Sequence, residues 1–251
     1  MHTKLIAIVP AAGIGTRALS AESGRRNGWP TGATQASPRQ SSAPPIPKQY
    51  WLLKGEPMLR WAVKALLADP RIAQVRVAVA ADDVWIDQAL AGLPRTVWRH
   101  CGGPTRAETV MAALQDAGLE EDDWVLIHDA ARPGLPADAL SRLIDSCLAM
   151  NAGGLLAQRV ADTVKRAASE QNAVVQSTVT REGLWLAQTP QMFPAGRLCT
   201  ALSLAGVSNK DITDEASAME LAGYAPKLIP GSARNFKVTW PEDFDLMEKW
   251  L

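Results

Sequence analysis

The sequence has little cysteine, little histidine and no excess charge of either sign. Its 3 Cys and 3 His residues are scattered over 251 positions, without a C-x-x-C pair or a metal-ligand spacing. His100 and Cys101 are adjacent, but adjacent side chains on a strand point to opposite faces and chelate poorly. These features argue against a disulfide framework and a structural zinc site, and they are typical of a protein of the reducing cytoplasm.

A basic field and a long apolar run are absent too. Lys+Arg and Asp+Glu number 26 each, so the chain lacks the overall positive charge that nucleic-acid binding usually needs. The apolar run that begins at Leu5 is broken by Gly13, too soon for a signal peptide or a membrane span. We therefore expect a cytoplasmic protein without a nucleic-acid or membrane partner, in which any anion site is local.

Apolar runs alternate along the chain with segments of helical period. The predicted strands are Leu5–Val9, Val75–Ala80, Thr96–Trp98 and Trp124–His128. The predicted helices are Met58–Ala68, Ile86–Ala91, Arg106–Ala117 and Ala137–Met150. This alternation predicts one α/β domain over residues 1–251, with a mostly parallel sheet flanked by helices and with ligands bound beyond the carboxyl ends of the strands.

Two segments interrupt the alternation. Ala18–Pro47 contains five Ser, five Pro and three Gly. Because such a composition cannot bury enough apolar surface to offset its ordering entropy, we predict a long inserted loop. Val160–Thr180 has two short β-prone runs around a polar middle, which predicts a protruding hairpin.

The stretch "VPAAGIGTRALS", Val9–Ser20, places two glycines and an arginine directly after the first strand. Gly13–Ala18 matches G-x-G-x-x-A, but a dinucleotide site also needs an acidic residue about twenty positions on, at the end of a second strand. That position falls in the Ser/Pro-rich segment. No Gly-Lys-Ser/Thr follows, which argues against a P-loop. A triphosphate cradle and a tight turn that simply needs glycine remain as interpretations.

The other strand ends favour the triphosphate. Arg17 follows the first strand, Lys48 closes the inserted loop, and Gly102–Arg106 joins the third strand to a helix that begins with the capping box Thr105-x-x-Glu108. Asp129 ends the fourth strand, and Lys237 lies near the carboxyl end of the chain. Cations and exposed amides suit a polyphosphate, and a carboxylate suits Mg²⁺.

The chain resembles the 2-C-methyl-D-erythritol 4-phosphate cytidylyltransferases of the non-mevalonate isoprenoid pathway. The matching stretches are "VPAAGIGTR", "PKQY", "GGPTRAETV", "HDAARP", "DTVKR", "LAQTPQMF", "DITDEASAME" and "NFKVTWPEDF". They occur in order from Val9 to Phe244. The resemblance implies a Rossmann-like nucleotidyltransferase domain that uses CTP, methylerythritol phosphate and Mg²⁺ or another divalent cation.

The resemblance also implies roles for individual residues. Arg17, Lys48 and Lys237 would be catalytic, and Asp129 would bind both the metal and the polyol. The nucleotide would be bound by Ala11, Ala12, Gly13, Gly15, Gly103, Arg106 and Thr109. Methylerythritol phosphate would be bound by Asp129, Thr163, Arg181, Thr189 and Thr213. Residues 160–182 would form a dimerisation arm that reaches the neighbour's site in a homodimer.

Purely structural interpretations stay open for several of these residues. Arg106 follows a helix cap, Thr213 precedes a helix that begins near Asp214 and could cap it, and Asp129 could pair with Arg132. His128 is expected to be a strand-end residue without a role in proton transfer. The nearest alternative function is a cytidylyltransferase for another polyol phosphate, such as ribitol 5-phosphate.

The chain departs from the family pattern at three places. Arg17 and Lys48 are 31 positions apart, whereas the family usually has only a handful of residues between them. Pro104 stands where a polar residue is common in the family, and tryptophan is an unusual residue at position 240, before Pro241. The first departure bears on how the loop between the two cations closes.

Overall fold

A computed structural model describes residues 3–13, 46–169, 171–209 and 211–251. Gly15, Arg17 and positions 18–45 of the predicted inserted loop lie outside the described residues.

Short strands rich in Val, Ile and Leu build a seven-stranded sheet in the described part of the chain. Its strands are β1 (Leu5–Pro10), β4 (Gln74–Ala78), β5 (Thr96–Arg99), β6 (Trp124–Ile127), β7 (Gly154–Arg159), β10 (Trp185–Pro194) and β11 (Lys227–Pro230). Their order across the sheet is β11-β7-β10-β6-β1-β4-β5. Among the described strands of this sheet, only β10 runs antiparallel to its neighbours, so the prediction of a mostly parallel sheet is confirmed.

The described ranges hold two further pairs of strands outside this sheet. The two-residue strands β2 (Leu52–Leu53) and β3 (Glu56–Pro57) pair with each other. β8 (Val164–Ala167) and β9 (Val175–Val179) form an antiparallel hairpin whose side chains are mostly exposed. The hairpin predicted for Val160–Thr180 is therefore present.

Helices cover both faces of the sheet. They are α1 (Met58–Leu67), α2 (Ile86–Leu90), α3 (Arg106–Ala117), α4 (Ala137–Met150), α5 (Ala195–Ala205), α6 (Glu215–Leu221) and α7 (Pro241–Trp250). Side chains of α1, α2 and α4 pack into one apolar cluster, and those of α3, α5 and α6 pack into a second. In β1, Ala7 and Val9 face the first cluster and Ile8 faces the second, as the alternation of a strand requires.

A third, smaller cluster lies beside the carboxyl edge of the sheet. It joins Phe244 and Met247 of α7 to Trp51, Leu53 and Val238. The cluster thereby fixes the segment that carries Lys237 against the short 3₁₀ helix Lys48–Tyr50.

The predicted strands and helices are all present, with bounds that differ by at most two residues. The described ranges hold no helix with both the length and the apolarity to cross a bilayer.

Candidate active site

A cavity of about 250 Å³ opens at the carboxyl edge of the parallel strands. Five segments line it, together with Met58: the residues after β1, the segment of Lys48, the loop before α3 with its first turn, the residues after β6, and the segment of Lys237. It contains nine of the residues predicted from the sequence: Ala11, Ala12, Gly13, Lys48, Gly103, Arg106, Thr109, Asp129 and Lys237. The rule that ligands bind beyond the carboxyl ends of parallel strands therefore located the cavity.

The residues after β1 are held by backbone bonds and by one buried amide. Ala11 N donates to Ala78 O at 2.7 Å. Gln49 Nε2 donates to Ala11 O at 2.8 Å, and Gln49 is 7% exposed. Gln49 thus fixes the 3₁₀ helix of Lys48 to the start of the glycine loop.

The loop before α3 approaches the residues after β1 closely. Gly102 N donates to Val79 O at 2.8 Å, and a Cβ on Gly102 would lie 2.3 Å from Ala12 Cβ. Only glycine allows this approach, so Gly102 brings the two backbone segments of the cavity together.

Thr105 and Thr109 hold the remainder of that loop. Glu108 N donates to Thr105 Oγ1 at 3.1 Å, and Thr105 N donates to Glu108 Oε2 at 2.9 Å, so the predicted capping box is present. Gly103 N donates to Thr109 Oγ1 at 3.1 Å, and Thr109 Oγ1 lies 2.9 Å from Thr105 O. Thr109 is 2% exposed, and its hydroxyl is thus hydrogen-bonded within the loop.

The two predicted catalytic lysines of the described residues are adjacent in space. Lys48 Nζ donates to Val238 O at 2.6 Å, beside Lys237 in the chain. Val238 N in turn donates to Ala131 O at 2.8 Å, next to the segment of Asp129. Lys237 Nζ donates to Asp129 Oδ2 at 2.8 Å.

Asp129 lies among three cations of the described residues. Arg106 Nε donates to its Oδ1 at 3.1 Å, Lys237 binds its Oδ2, and Arg132 Nε is 3.6 Å from Oδ2. Burial by itself raises the pKa of Asp129, but the charges of Arg106, Lys237 and Arg132 outweigh burial and hold the pKa far below its usual range. The pairing of Asp129 with Arg132 is therefore one of three ion pairs, and the carboxylate is charged at neutral pH.

Arg106 does more than follow a helix cap. Its Nη1 and Nη2 donate to Glu215 Oε1 and Oε2 at 2.5 and 3.0 Å, while its Nε faces Asp129. Burial by itself lowers the pKa of Arg106, but Glu215 and Asp129 outweigh burial and raise the pKa above its ordinary value. Sequence reasoning missed Glu215, although it lies inside the matching stretch "DITDEASAME".

Thr189 and His128 are buried beneath Asp129. His128 Nε2 lies 3.0 Å from Arg132 O, and since a carbonyl only accepts, Nε2 carries the proton. Nδ1, 3.0 Å from Thr189 Oγ1, then accepts from that hydroxyl, which itself accepts from Asp129 N at 2.9 Å. Burial lowers the pKa of His128 to about 4, so the ring is neutral and fixes the backbone of Asp129. Whether Thr189 also contacts substrate stays a prediction.

Like Thr189, three further predicted substrate-binding residues do not line this cavity. Thr163 and Arg181 lie at the base of the hairpin, where Thr163 is exposed and Arg181 donates to Ala161 O. Thr213 is exposed ahead of α6. It does not cap the helix, because Asp214 is the N-cap and its Oδ1 accepts from Ser217 N at 2.9 Å.

A divalent cation such as Mg²⁺ needs oxygen ligands, and the described side chains supply few of them at the cavity. Within the described ranges, no group of three or more His, Cys, Asp or Glu side chains is placed to hold a metal. Asp129 supplies one charged carboxylate to the cavity. Mg²⁺ typically takes one or two protein carboxylates and completes its shell with substrate phosphates and water. A metal that arrives with a nucleotide therefore fits this site.

Comparison with known proteins gives one consistent family. Residues 39–251 match the family described as IspD: 2-C-methyl-D-erythritol 4-phosphate cytidylyltransferase. The chain is 61% identical to the 2-C-methyl-D-erythritol 4-phosphate cytidylyltransferase of Bordetella pertussis, over 251 residues and 100% of both chains.

Two solved structures share the fold. A crystal structure of 4-diphosphocytidyl-2C-methyl-D-erythritol synthase has a TM-score of 0.78 and 35% identity, with 100% of this chain and 99% of that chain covered. The 2-C-methyl-D-erythritol 4-phosphate cytidylyltransferase of Francisella tularensis has a TM-score of 0.77 and 30% identity, with 99% of this chain and 100% of that chain covered. The chain belongs to the 2-C-methyl-D-erythritol 4-phosphate cytidylyltransferase family.

Proposed function

We propose that this protein transfers the cytidylyl group of CTP to 2-C-methyl-D-erythritol 4-phosphate and releases pyrophosphate, and that the cavity at the carboxyl edge of the sheet is its active site. The observation that carries the proposal is the convergence there of two backbone loops, two lysines and a charged carboxylate. Family membership supplies the two substrates.

The backbone loops would hold the nucleotide. Ala11, Ala12 and Gly103 present main-chain groups at the cavity, and Gly102 allows their close approach. Gly13, with Gly15 outside the described residues, would admit the triphosphate. Thr109 would act by fixing the Gly103 backbone, because its hydroxyl is bonded within the loop.

The reaction asks for positive charge rather than for a general base. The phosphate of the acceptor is already ionised at neutral pH, so the barrier lies in bringing two anions together and in charge that builds at the α-phosphorus. Lys48 and Lys237 would supply this charge, with Arg17 outside the described residues. The buried neutral His128 is consistent with a reaction that needs no proton transfer.

Asp129 would hold the divalent cation and contact the polyol. A bound Mg²⁺ would neutralise part of the phosphate charge. Lys237 occupies Asp129 Oδ2 in this structure, and it is 39% exposed, so its side chain has room to turn from the carboxylate toward a phosphate.

The hairpin would complete the site of a second copy. Thr163 and Arg181 lie on the hairpin and away from the cavity of their own chain, which fits binding of methylerythritol phosphate in a homodimer with exchanged arms. Thr213 would contact the same substrate. We also infer a cytoplasmic location, since Cys101, Cys147 and Cys199 are all free thiols.

Pyrophosphate release tests the proposal. The purified protein is incubated with Mg²⁺ and CTP, and methylerythritol phosphate is compared with ribitol 5-phosphate as the acceptor. ATP replaces CTP in a parallel reaction. We expect release only with CTP, and at least 100-fold higher kcat/KM for methylerythritol phosphate, a difference of about 2.7 kcal/mol in transition-state binding. A higher kcat/KM with ribitol 5-phosphate would mean that this compound, and not methylerythritol phosphate, is the acceptor. Equal rates with ATP would contradict the assignment of CTP as the nucleotide.

A further inference from the structure

Glu215 is a buried carboxylate that has one partner of opposite charge within the described part of the chain. It is 1% exposed, and both of its oxygens accept from Arg106, at 2.5 and 3.0 Å. A buried ion pair is weak evidence for stability, because the desolvation of both charges offsets much of their attraction. The contact that Arg106 makes beyond this pair indicates a further role for Glu215.

Arg106 transmits the position of Glu215 to Asp129. A guanidinium is a rigid planar fork, so fixing both Nη atoms also fixes the direction of Nε. That third nitrogen donates to Asp129 Oδ1 at 3.1 Å. The three residues come from α6, from the start of α3 and from the end of β6, so Glu215 couples two helices to the carboxylate of the cavity.

The two oxygens of Asp129 have different partners. Oδ1 faces Arg106, whose side chain is 28% exposed and is anchored by Glu215. Oδ2 accepts a hydrogen bond from Lys237, which is 39% exposed and has a flexible stem, while Arg132 Nε is 3.6 Å away and makes no hydrogen bond to it. The donor to Oδ1 is therefore fixed, and the donor to Oδ2 can leave.

We propose that Glu215 is a positioning residue for cytidylyl transfer: it holds Arg106 against Oδ1 of Asp129 and so leaves Oδ2 as the oxygen that exchanges Lys237 for an incoming divalent cation. The inference rests on the proposed active site. Without the anchor, Arg106 turns freely and can clamp both oxygens of Asp129, in competition with the cation.

Glu215→Gln is the primary variant, because it keeps the shape but presents an amide donor to one guanidinium N–H. Glu220→Gln is the matched control, since Glu220 is an exposed carboxylate on the same helix. We expect Glu215→Gln to lower kcat about 10- to 100-fold, with KM for CTP changed less than threefold, and to weaken Mn²⁺ binding about tenfold. Mn²⁺ binding is measured by electron paramagnetic resonance with CTP and no acceptor. Glu220→Gln should match the wild type in all three.

A folded Glu215→Gln variant with wild-type kcat and wild-type Mn²⁺ binding would overturn the proposal. If that variant does not fold, Glu215→Asp and Arg106→Lys replace it. Both keep the charges, but Glu215→Asp shortens the carboxylate side chain and Arg106→Lys removes the guanidinium fork. Both should lower kcat and weaken Mn²⁺ binding. Wild-type values in both variants would overturn the proposal. Addition of Glu215→Gln to Arg106→Met should lower kcat no further; a further tenfold loss would show that Glu215 does not act through Arg106. Wild-type turnover in the same assay separates failure of this inference from failure of the proposed function.

Discussion

Lys48 and Val238 are 190 positions apart, and Lys48 Nζ donates to Val238 O at 2.6 Å. This bond ties the short helix of Lys48 to the segment of Lys237. The segment is tied in turn to the residues after β6 by the bond from Val238 N to Ala131 O. Contacts to main-chain groups thus hold together the segments that carry Lys48, Lys237 and Asp129. Such preorganised charge is what a phosphoryl-transfer reaction requires of its protein.

Lys48→Ala should lower kcat far more than it raises KM. If the ammonium stabilises charge that develops after binding, its loss should cost about 10²- to 10³-fold in kcat. Lys4→Ala is the control, because Lys4 is an exposed lysine near the amino end of β1. Steady-state kinetics with varied CTP and varied acceptor separate the two parameters. A kcat within threefold of the wild type would contradict the catalytic assignment of Lys48.

Gly102→Ala should destabilise the protein, whereas Gly13→Ala should not. The new Cβ at position 102 would lie 2.3 Å from Ala12 Cβ and 2.7 Å from Val79 O, so backbone must move, at a cost of about 1–3 kcal/mol. At Gly13, no atom of the described residues lies within 4 Å of the added carbon. Urea unfolding measures the stabilities, and the KM for CTP of each variant should rise if these segments hold the nucleotide. Equal unfolding free energies for the two variants would contradict this account of Gly102.

Sequence reasoning located the cavity because strand ends in a parallel sheet meet at one edge. Lys48, Gly103, Asp129 and Lys237 are distant in the chain, and each was assigned to that edge from its position after a strand or loop, or from a motif. The capping box of Thr105 can also be predicted from the sequence, since it depends on neighbours within one helical turn.

The contacts that sequence reasoning missed depend on long-range packing. Glu215 contacts Arg106 across 109 positions, and the sequence of a seven-residue helix does not indicate which distant side chain the helix will contact. Thr189 is bonded to His128 because β10 runs antiparallel beside β6, a register that no local pattern specifies. Apart from the hairpin and the helix expected near Asp214, the strands and helices after α4 are not predicted from the sequence, since their short apolar runs give no clear period.

His128 should make the metal-free protein less stable in mild acid. Burial lowers the pKa of His128 from 6.5 to about 4, so between these values the unfolded chain binds a proton that the folded chain does not. The unfolding free energy should therefore be fully present above pH 6.5 and should fall as the pH decreases toward 4, by about 3 kcal/mol from this residue. Urea unfolding at pH 7.5, 6.0 and 5.0 in EDTA measures the slope. His128→Gln should have a flatter slope over the same range, and an unchanged slope would mean that another group causes the loss.

Mixed dimers test whether the hairpin serves a neighbouring site. If Arg181 completes the partner's site while Lys237 serves its own, Arg181→Ala and Lys237→Ala chains should be inactive alone. In a mixed dimer one site then carries both defects and the other carries neither. An equal mixture should recover about a quarter of wild-type activity, because half of the dimers are mixed and each has one intact site. The matched control mixes Lys237→Ala with Asp129→Asn, two residues that meet in one chain at 2.8 Å, and it should recover nothing. With subunit exchange shown by differently tagged chains, recovery in neither mixture would mean that Arg181 serves the site of its own chain.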